Sequence, residues 1–428
     1  MVVDSISTLT TILLRTHLLE RSQIAEVASS LQNRFPNPKS LAGELIRRGW
    51  LTPYQVNQIF QDREGDLLLD SYVLLERLGE GGMGQVFKAR NWKLDRLVAL
   101  KVVRKDRLGD AEAIRRFQRE VRASAQLNHP NVVHAYDSGE CGDRHFYVME
   151  YVEGIDLARL VRRDGPLPIE QACDCIRQAA LGLQHAVERG LVHRDIKPHN
   201  LLMTRSSDGQ TLIKILDMGL ARLDHGGDPL ESGTMTREGV VMGTLDYIAP
   251  EQARNAHLAD TRADLYSLGC TLFFLLAGRP PFHGGTPTER LLKHQIDPPP
   301  PVARFRPDVP PSLAAVLERL LAKRPEHRYQ TPAETAAVLA AVLSGAPVPQ
   351  RPTASPLVSR APARATPTPQ AMKETDAGWS SIVEAPSAAD SASSFHRRRA
   401  AQHRRTMWWS VAAGVALLAV LGLILLLH

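Results

Sequence analysis

Apolar positions recur at helical spacing from about residue 9 to residue 62: Ile24, Val27 and Leu31 form one stripe, and Leu41, Leu45 and Ile46 another. Pro36 and Pro38 interrupt the run, so at least two helices are predicted. Thr52-Pro53 opens a third, with Thr at the N-cap and Pro at the first helical position. Trp50, Leu51, Tyr54, Val56 and Phe60 are its small core, and residues 1–66 read as a compact helical module. The period then changes. Residues 72–78 read as a strand that runs into Gly79-Glu80-Gly81-Gly82-Met83-Gly84, and 85–89 continues as a β-branched and aromatic strand. Residues 98–103 form an apolar strand interrupted by Lys101, followed by a helix with the stripe Ile114, Phe117 and Val121. After the turn at Asn128-His129-Pro130-Asn131, Val132 and Val133 begin another strand, and 145–152 reads as a buried strand leading into a connection between two lobes. Beyond it come a helix over 168–189, a short apolar strand over 212–216, an apolar helix from Asp264 through Leu276 and a last helix over 332–343. Strands first and helices afterwards give an α+β chain.

The tail follows different rules. Residues 345–406 are dominated by Pro, Ala, Ser and Thr without hydrophobic period, which predicts a disordered linker, and its isolated Trp379 and Ile382 are given no role. Residues 407–427 carry no charge and would rise roughly 32 Å as a helix, enough to cross a bilayer core of about 30 Å. Trp408 and Trp409 suit the interface, and Arg397, Arg398, Arg399, Arg404 and Arg405 hold that side in the cytoplasm. The net charge of +6 is concentrated in this cluster, so it points to lipid headgroups rather than to nucleic acid. At 428 residues, 43% hydrophobic and 23% charged, the chain otherwise has the composition of two or three globular domains. Four scattered cysteines, with Cys173 and Cys175 on different faces of a helix, read as reduced cytosolic thiols, and no secretory signal is expected.

The candidate chemistry centres on His193-Arg194-Asp195-Ile196-Lys197-Pro198-His199-Asn200, a polar stretch between apolar flanks. A lone glycine pattern such as 79–84 also occurs in dinucleotide-binding folds, but those need a helix after the third glycine, and here a strand follows. A hairpin whose backbone N–H groups approach phosphates is the better reading. Lys101 in a buried strand needs a carboxylate, and Glu120, beside Val121, is the candidate. Asp217 stands at the mouth of the strand 212–216, opposite Asn200. Residues 224–241 read as a long mobile loop, and Glu251 and Arg328 as a buried ion pair.

These motifs, in this order, resemble those of bacterial, eukaryotic-like serine/threonine protein kinases over residues 72–344: the glycine loop, Val98-Ala99-Leu100-Lys101, the helix glutamate, the loop at 193–200, Asp217-Met218-Gly219 and Ala249-Pro250-Glu251. The resemblance implies a bilobal fold, with a β-rich N-lobe and a helical C-lobe, that uses ATP and Mg²⁺. It implies Asp195 as catalytic base and Asn200 and Asp217 as Mg²⁺ ligands. Lys197 is the mark of serine/threonine specificity, and Thr244 would bridge to it and to Asp195. Gly79, Glu80, Gly81, Gly82, Met83 and Gly84 would cover the phosphates, and Lys101 with Glu120 would hold them. Adenine would lie between Leu78, Val86 and Ala99 above and Leu202 below, bonded to the backbone of Glu150 and Val152. Asp156 suits a ribose hydroxyl and also an N-cap, and the two are compatible. Arg194 before the aspartate implies control by phosphorylation of Thr234 or Thr236, with a homodimer as the arrangement for autophosphorylation in trans. Met218 replaces the usual Phe and is expected to fill the same apolar slot. The expectation is a tail-anchored kinase of the inner membrane facing the cytoplasm and acting on Ser/Thr of proteins; its rivals are a pseudokinase scaffold and a basic nucleic-acid binder.

Overall fold

Short polar side chains start the helices of the N-terminal module. The computed structural model describes residues 3–81, 84–104, 111–218, 245–255 and 259–347, all within one compact unit. Ser5 accepts the Thr8 N–H and opens α1 (Ile6–Arg15). Then α2 (Arg21–Glu26) widens through Val27–Leu31 into α3 (Gln32–Arg34). Asn37 caps α4 (Pro38–Arg47), and Thr52 caps α5 (Pro53–Phe60) with Pro53 in the first turn, as the sequence predicts. Their core is Leu9, Ile12, Leu13, Leu31, Leu41, Leu45 and Ile59. Of the expected core, Leu51 is buried, while Trp50, Tyr54, Val56 and Phe60 are partly buried around it.

The module does not close on itself. Val73, and more peripherally Leu75, complete its core from the neighbouring sheet. That sheet consists of β1 (Leu68–Leu69), β2 (Tyr72–Gly81), β3 (Gly84–Asn91), β4 (Arg96–Val103), β5 (Ala135–Cys141) and β6 (Arg144–Glu150), in the antiparallel order β1-β2-β3-β4-β6-β5. Alternation sorts its side chains: Leu74, Phe87, Leu100 and Val148 share one layer, and Ala99, Val103, Tyr147 and Met149 pack on the other with Phe117 and Val121 of α6 (Ala111–Ser124). Strand β5 starts at Ala135, later than predicted. Val132 and Val133 instead bind the C-lobe, where the Val133 N–H donates to the Ile215 carbonyl at 2.9 Å.

The second lobe follows β7 (Ile155–Asp156), with α7 (Leu157–Asp164) and α8 (Ile169–Val187). A three-stranded sheet pairs β7 with β8 (Leu201–Arg205), and β8 with β9 (Thr211–Ile215). Then come α9 (Pro250–Arg254), α10 (Thr261–Ala277), α11 (Pro287–Gln295), α12 (Pro311–Leu320) and α13 (Pro332–Ser344). Helix α10 is buried on every side from Ala263 to Leu276, as its uniform apolarity predicts. A Cβ at its Gly269 would lie 2.8 Å from Leu320, so glycine is what lets α12 approach. The cysteines carry free thiols, and burial pushes those of Cys173 and Cys175 up to about 12.

Among the described residues no helix is long and apolar enough to cross a membrane. The expected span at 407–427, the linker beyond 347, and Thr234, Thr236, Thr244, Gly219, Gly82 and Met83 lie outside the described residues.

The predicted Glu251–Arg328 pair is present. Arg328, with no exposed surface, donates to both Glu251 oxygens at 2.7 and 2.8 Å and to the carbonyls of Ala322, Arg262 and Lys323. Replacing the guanidinium strips Glu251 and three carbonyls of these donors. Arg328→Met is therefore expected to cost about 3–5 kcal/mol, read as a lower urea midpoint.

Candidate active site

The loop at 193–200 is held from below by a single carboxylate. Asp264 enters from the first turn of α10 and accepts the His193 N–H at 2.9 Å and the Arg194 N–H at 2.7 Å. Burial raises its pKa above the usual carboxyl range, against the pull of His193 and Arg194. Arg194 takes a left-handed φ of 68°, a strained choice for a long side chain, directly after the N–H that Asp264 holds. His193 is fully buried and bridges two segments: its Nδ1 accepts the Asp195 N–H at 3.2 Å, and its Nε2 lies 2.8 Å from the Leu216 carbonyl, which assigns the proton to Nε2.

The polar side chains of the loop then converge. The Lys197 Nζ donates to the Asp195 carboxylate at 2.8 Å. The Asn200 Nδ2 donates to the same carboxylate at 3.0 Å and to the Asp195 carbonyl at 2.8 Å, which leaves its Oδ1 for a cation. The Leu216 N–H donates to the Asn200 carbonyl at 2.9 Å, so Asp217, the next residue, is tied beside Asn200. Asp217 itself has φ 55°, and Ser124 of α6 donates its hydroxyl to the carbonyl of Met218 at 2.6 Å. Met218 is buried in the C-lobe core.

Across the cleft, Lys101 is buried on β4. A carboxylate set against its ammonium is that of Asp217, at 2.9 Å, a partner the sequence reading did not name beside Glu120. Glu120 lies on α6 next to Val121 with both carboxylate oxygens buried. The physical demand of a buried lysine for a counter-charge is thus met at least in part from the opposite lobe. Burial pushes the Asp217 carboxyl up, but Lys101, then His193 and Lys197, more than offset this, and it stays below the ordinary range.

The predicted adenine slot is partly assembled. Val86, Ala99 and Val152 share one apolar cluster with Leu216, while Leu202 is half-buried on β8 and Leu78 is exposed. The Glu150 N–H donates to the His134 carbonyl and its carboxylate accepts from Lys214, both at 2.8 Å, so the contact implied for Glu150 falls to its carbonyl. Asp156 caps α7, accepting the Arg159 N–H at 2.9 Å, in line with one of its two readings. Gly79, Glu80 and Gly81 lie at the end of β2, and Gly84 opens β3. At Gly84 a Cβ would fall 1.9 Å from the Val102 carbonyl oxygen, so only glycine lets the start of β3 lie against the end of β4.

Sequence reasoning gave no role to Asp264 or Lys214. The signal for Asp264 was visible: a lone acid at the head of an otherwise apolar helix needs donors.

Asn200 and Asp217 offer one amide oxygen and one carboxylate side by side, the hard oxygen set that Mg²⁺ takes together with substrate phosphates. Residues 72–338 match the family described as "Protein kinase domain". The serine/threonine-protein kinase PknB of Mycolicibacterium smegmatis is 41% identical over 284 residues, covering 65% of this chain and 44% of the relative. The serine/threonine-protein kinase PrkC of Bacillus subtilis is 40% identical over 267 residues, covering 62% of this chain and 40% of the relative. The chain thus spans less than half the length of these curated relatives. A solved double mutant of the Mycobacterium tuberculosis PknI kinase domain is 29% identical with a TM-score of 0.52, covering 64% of this chain and 97% of that one.

Removing the Lys101 charge should be legible in Asp217. Its pKa lies below the unfolded value, so it contributes stability above that value which is lost as pH falls through the folded pKa. In Lys101→Met burial goes unopposed by the ammonium. Carboxyl ¹³C NMR should show the Asp217 titration moving up, and acid unfolding should begin at higher pH than in the wild type.

Proposed function

This chain belongs to the protein kinase family, and on that premise we propose that it is a serine/threonine protein kinase transferring the γ-phosphate of ATP to hydroxyls of proteins. The observation that carries this reading is the convergence of Lys197 and Asn200 on the Asp195 carboxylate, with Asp217 tied next to Asn200. Phosphoryl transfer needs positioning and charge neutralisation more than covalent chemistry, and this constellation supplies both. Bound Mg²⁺ would supply charge neutralisation on the phosphates, held by the Asn200 Oδ1 and the Asp217 carboxylate.

Asp195 orients the acceptor hydroxyl and takes its proton as the new O–P bond forms and the bond between the β–γ bridging oxygen and γ-phosphorus breaks. Lys197, fixed 2.8 Å from that carboxylate, is placed to donate to the phosphoryl group in transit. Lys101 is placed for the α- and β-phosphates, which requires its ammonium to exchange Asp217 for phosphate oxygens, Glu120 being the nearby acid expected to steady it. The backbone of Gly79, Glu80, Gly81, Gly82, Met83 and Gly84 covers the phosphates. Leu78, Val86, Ala99 and Leu202 enclose the base, which bonds to the backbone of Glu150 and Val152, and Asp156 reaches the ribose.

Three further parts belong to the proposal. The uncharged run at 407–427 anchors the protein in the inner membrane with the catalytic domain in the cytoplasm, where ATP is. Arg194, strained beside the catalytic aspartate, favours control by phosphate on Thr234 or Thr236, delivered in trans within a homodimer. The partners are then ATP, protein substrates and the bilayer, with no nucleic acid.

Incubated with Mg-ATP and a protein acceptor, wild type should incorporate phosphate and carry it on Thr234 or Thr236 by mass spectrometry, while Asp195→Asn should fall by at least about a hundredfold and leave the loop bare. Equal incorporation by both proteins would refute the assignment. Truncation after residue 406 should move the expressed protein from the membrane to the soluble fraction without reducing turnover.

A further inference from the structure

The module formed by α1–α5 meets the kinase domain at the strand that feeds the glycine hairpin. The pairing of β2 with β3 slips between Leu74 and Glu76: Leu74 faces Ala89 and Glu76 faces Lys88, so Leu75 has no opposite number. A bulge of this kind turns backbone groups out of the ladder, and buried carbonyls need donors. Both donors come from α5. The Gln55 Nε2 donates to the Leu74 carbonyl at 2.9 Å, and the Thr52 hydroxyl donates to the Leu75 carbonyl. Gln55 is buried, with 2% of its surface exposed.

These two residues are also the capping box of α5. The Gln55 N–H donates to the Thr52 Oγ1 at 3.1 Å, and the Thr52 N–H donates to the Gln55 Oε1 at 2.9 Å. Each side chain is therefore used twice, once to start a helix and once to hold the bulge. Four residues further along β2 lies Gly79, paired with Val86 of the apolar slot. A second slip, between Arg77 and Gly79, lies between the clamp and the hairpin. Because a bulge bends and twists its strand, whatever holds the bulge sets the direction in which the hairpin leaves. Tyr54 against Phe87, His17 stacked on Trp92 and Asp66 paired with Arg144 press the module onto the same lobe.

We propose that Thr52 and Gln55 are positioning residues for nucleotide binding: by capturing the two carbonyls at the β2 bulge they set the angle at which the glycine hairpin meets ATP. This rests on the reading of the chain as an ATP-dependent kinase. The module is then part of the nucleotide site's support, and a partner bound to it would tune affinity for ATP without touching the cleft.

The test uses the full-length chain. Gln55→Glu keeps the acceptor for the Thr52 N–H but loses the donor to Leu74, and Thr52→Val loses the donor to Leu75. Calorimetric titration with Mg-ATP should show Kd raised about five- to tenfold in each variant, the scale of a lost hydrogen bond. KM for ATP should rise with it and kcat should stay within about twofold, the pattern of lost ground-state binding. Thr52→Ser, which keeps the hydroxyl, should bind as the wild type does. A Kd equal to wild type in Gln55→Glu and Thr52→Val, whatever happens to the melting temperature, overturns the inference, as does a fall in kcat at unchanged Kd. If Thr52→Val does not fold, the comparison of Gln55→Glu with wild type decides alone. A wild type that binds no Mg-ATP would instead refute the kinase reading, and the clamp with it.

Discussion

Asp264 takes a negative charge into the C-lobe and finds there, as donors, the backbone of the loop that carries Asp195. An uncompensated carboxylate at that depth would be costly, so the two N–H groups of His193 and Arg194 cannot drift from it without exposing that cost. The left-handed turn at Arg194 lies directly beyond these two donors, where the chain turns towards Asp195. Once the turn is set, His193 reaches Leu216, Leu216 reaches Asn200, and the two acids of the cleft stand in fixed relation. The strain is local and the stabilisation comes from the helix beneath, which is buried from Ala263 to Leu276.

The proposed catalytic residues sit on the boundary between the two lobes, and an ion pair that crosses it, Lys101 with Asp217, joins β4 to the end of β9. A pair of this kind satisfies both charges in the absence of phosphates. On the proposed function, nucleotide and metal would offer each partner a stronger counter-charge, and the pair would be a placeholder for the ligands rather than a competitor of the chemistry.

Most of the fold was legible because period and punctuation agreed. Thr52-Pro53 announced a capped helix, the apolar run after Asp264 announced a helix buried all round, and Glu251 and Arg328 found each other as opposite charges that had to be buried. What escaped the sequence was choice among partners. Lys101 needed an acid, and periodicity put Glu120 on the right face of α6, but that Asp217 also stands 2.9 Å from it is visible only in the tertiary arrangement. Val132 and Val133 look like the start of a strand because they are β-branched, yet their backbone is used by Ile215 of the other lobe. The need of Asp264 for donors could be read from the sequence, but not which ones: they lie 70 and 71 residues earlier in the chain.

Strand β2 belongs to two interiors at once. Leu74 points into the sheet's own layer, while Val73 and Leu75 finish the core of α1–α5. Family resemblance begins at residue 72, between these two obligations. A fragment cut at that boundary would carry a bare apolar seam along its first strand and two carbonyls stripped of their donors, an edge primed to pair with another chain. For this protein the folding unit begins well upstream of the recognisable family.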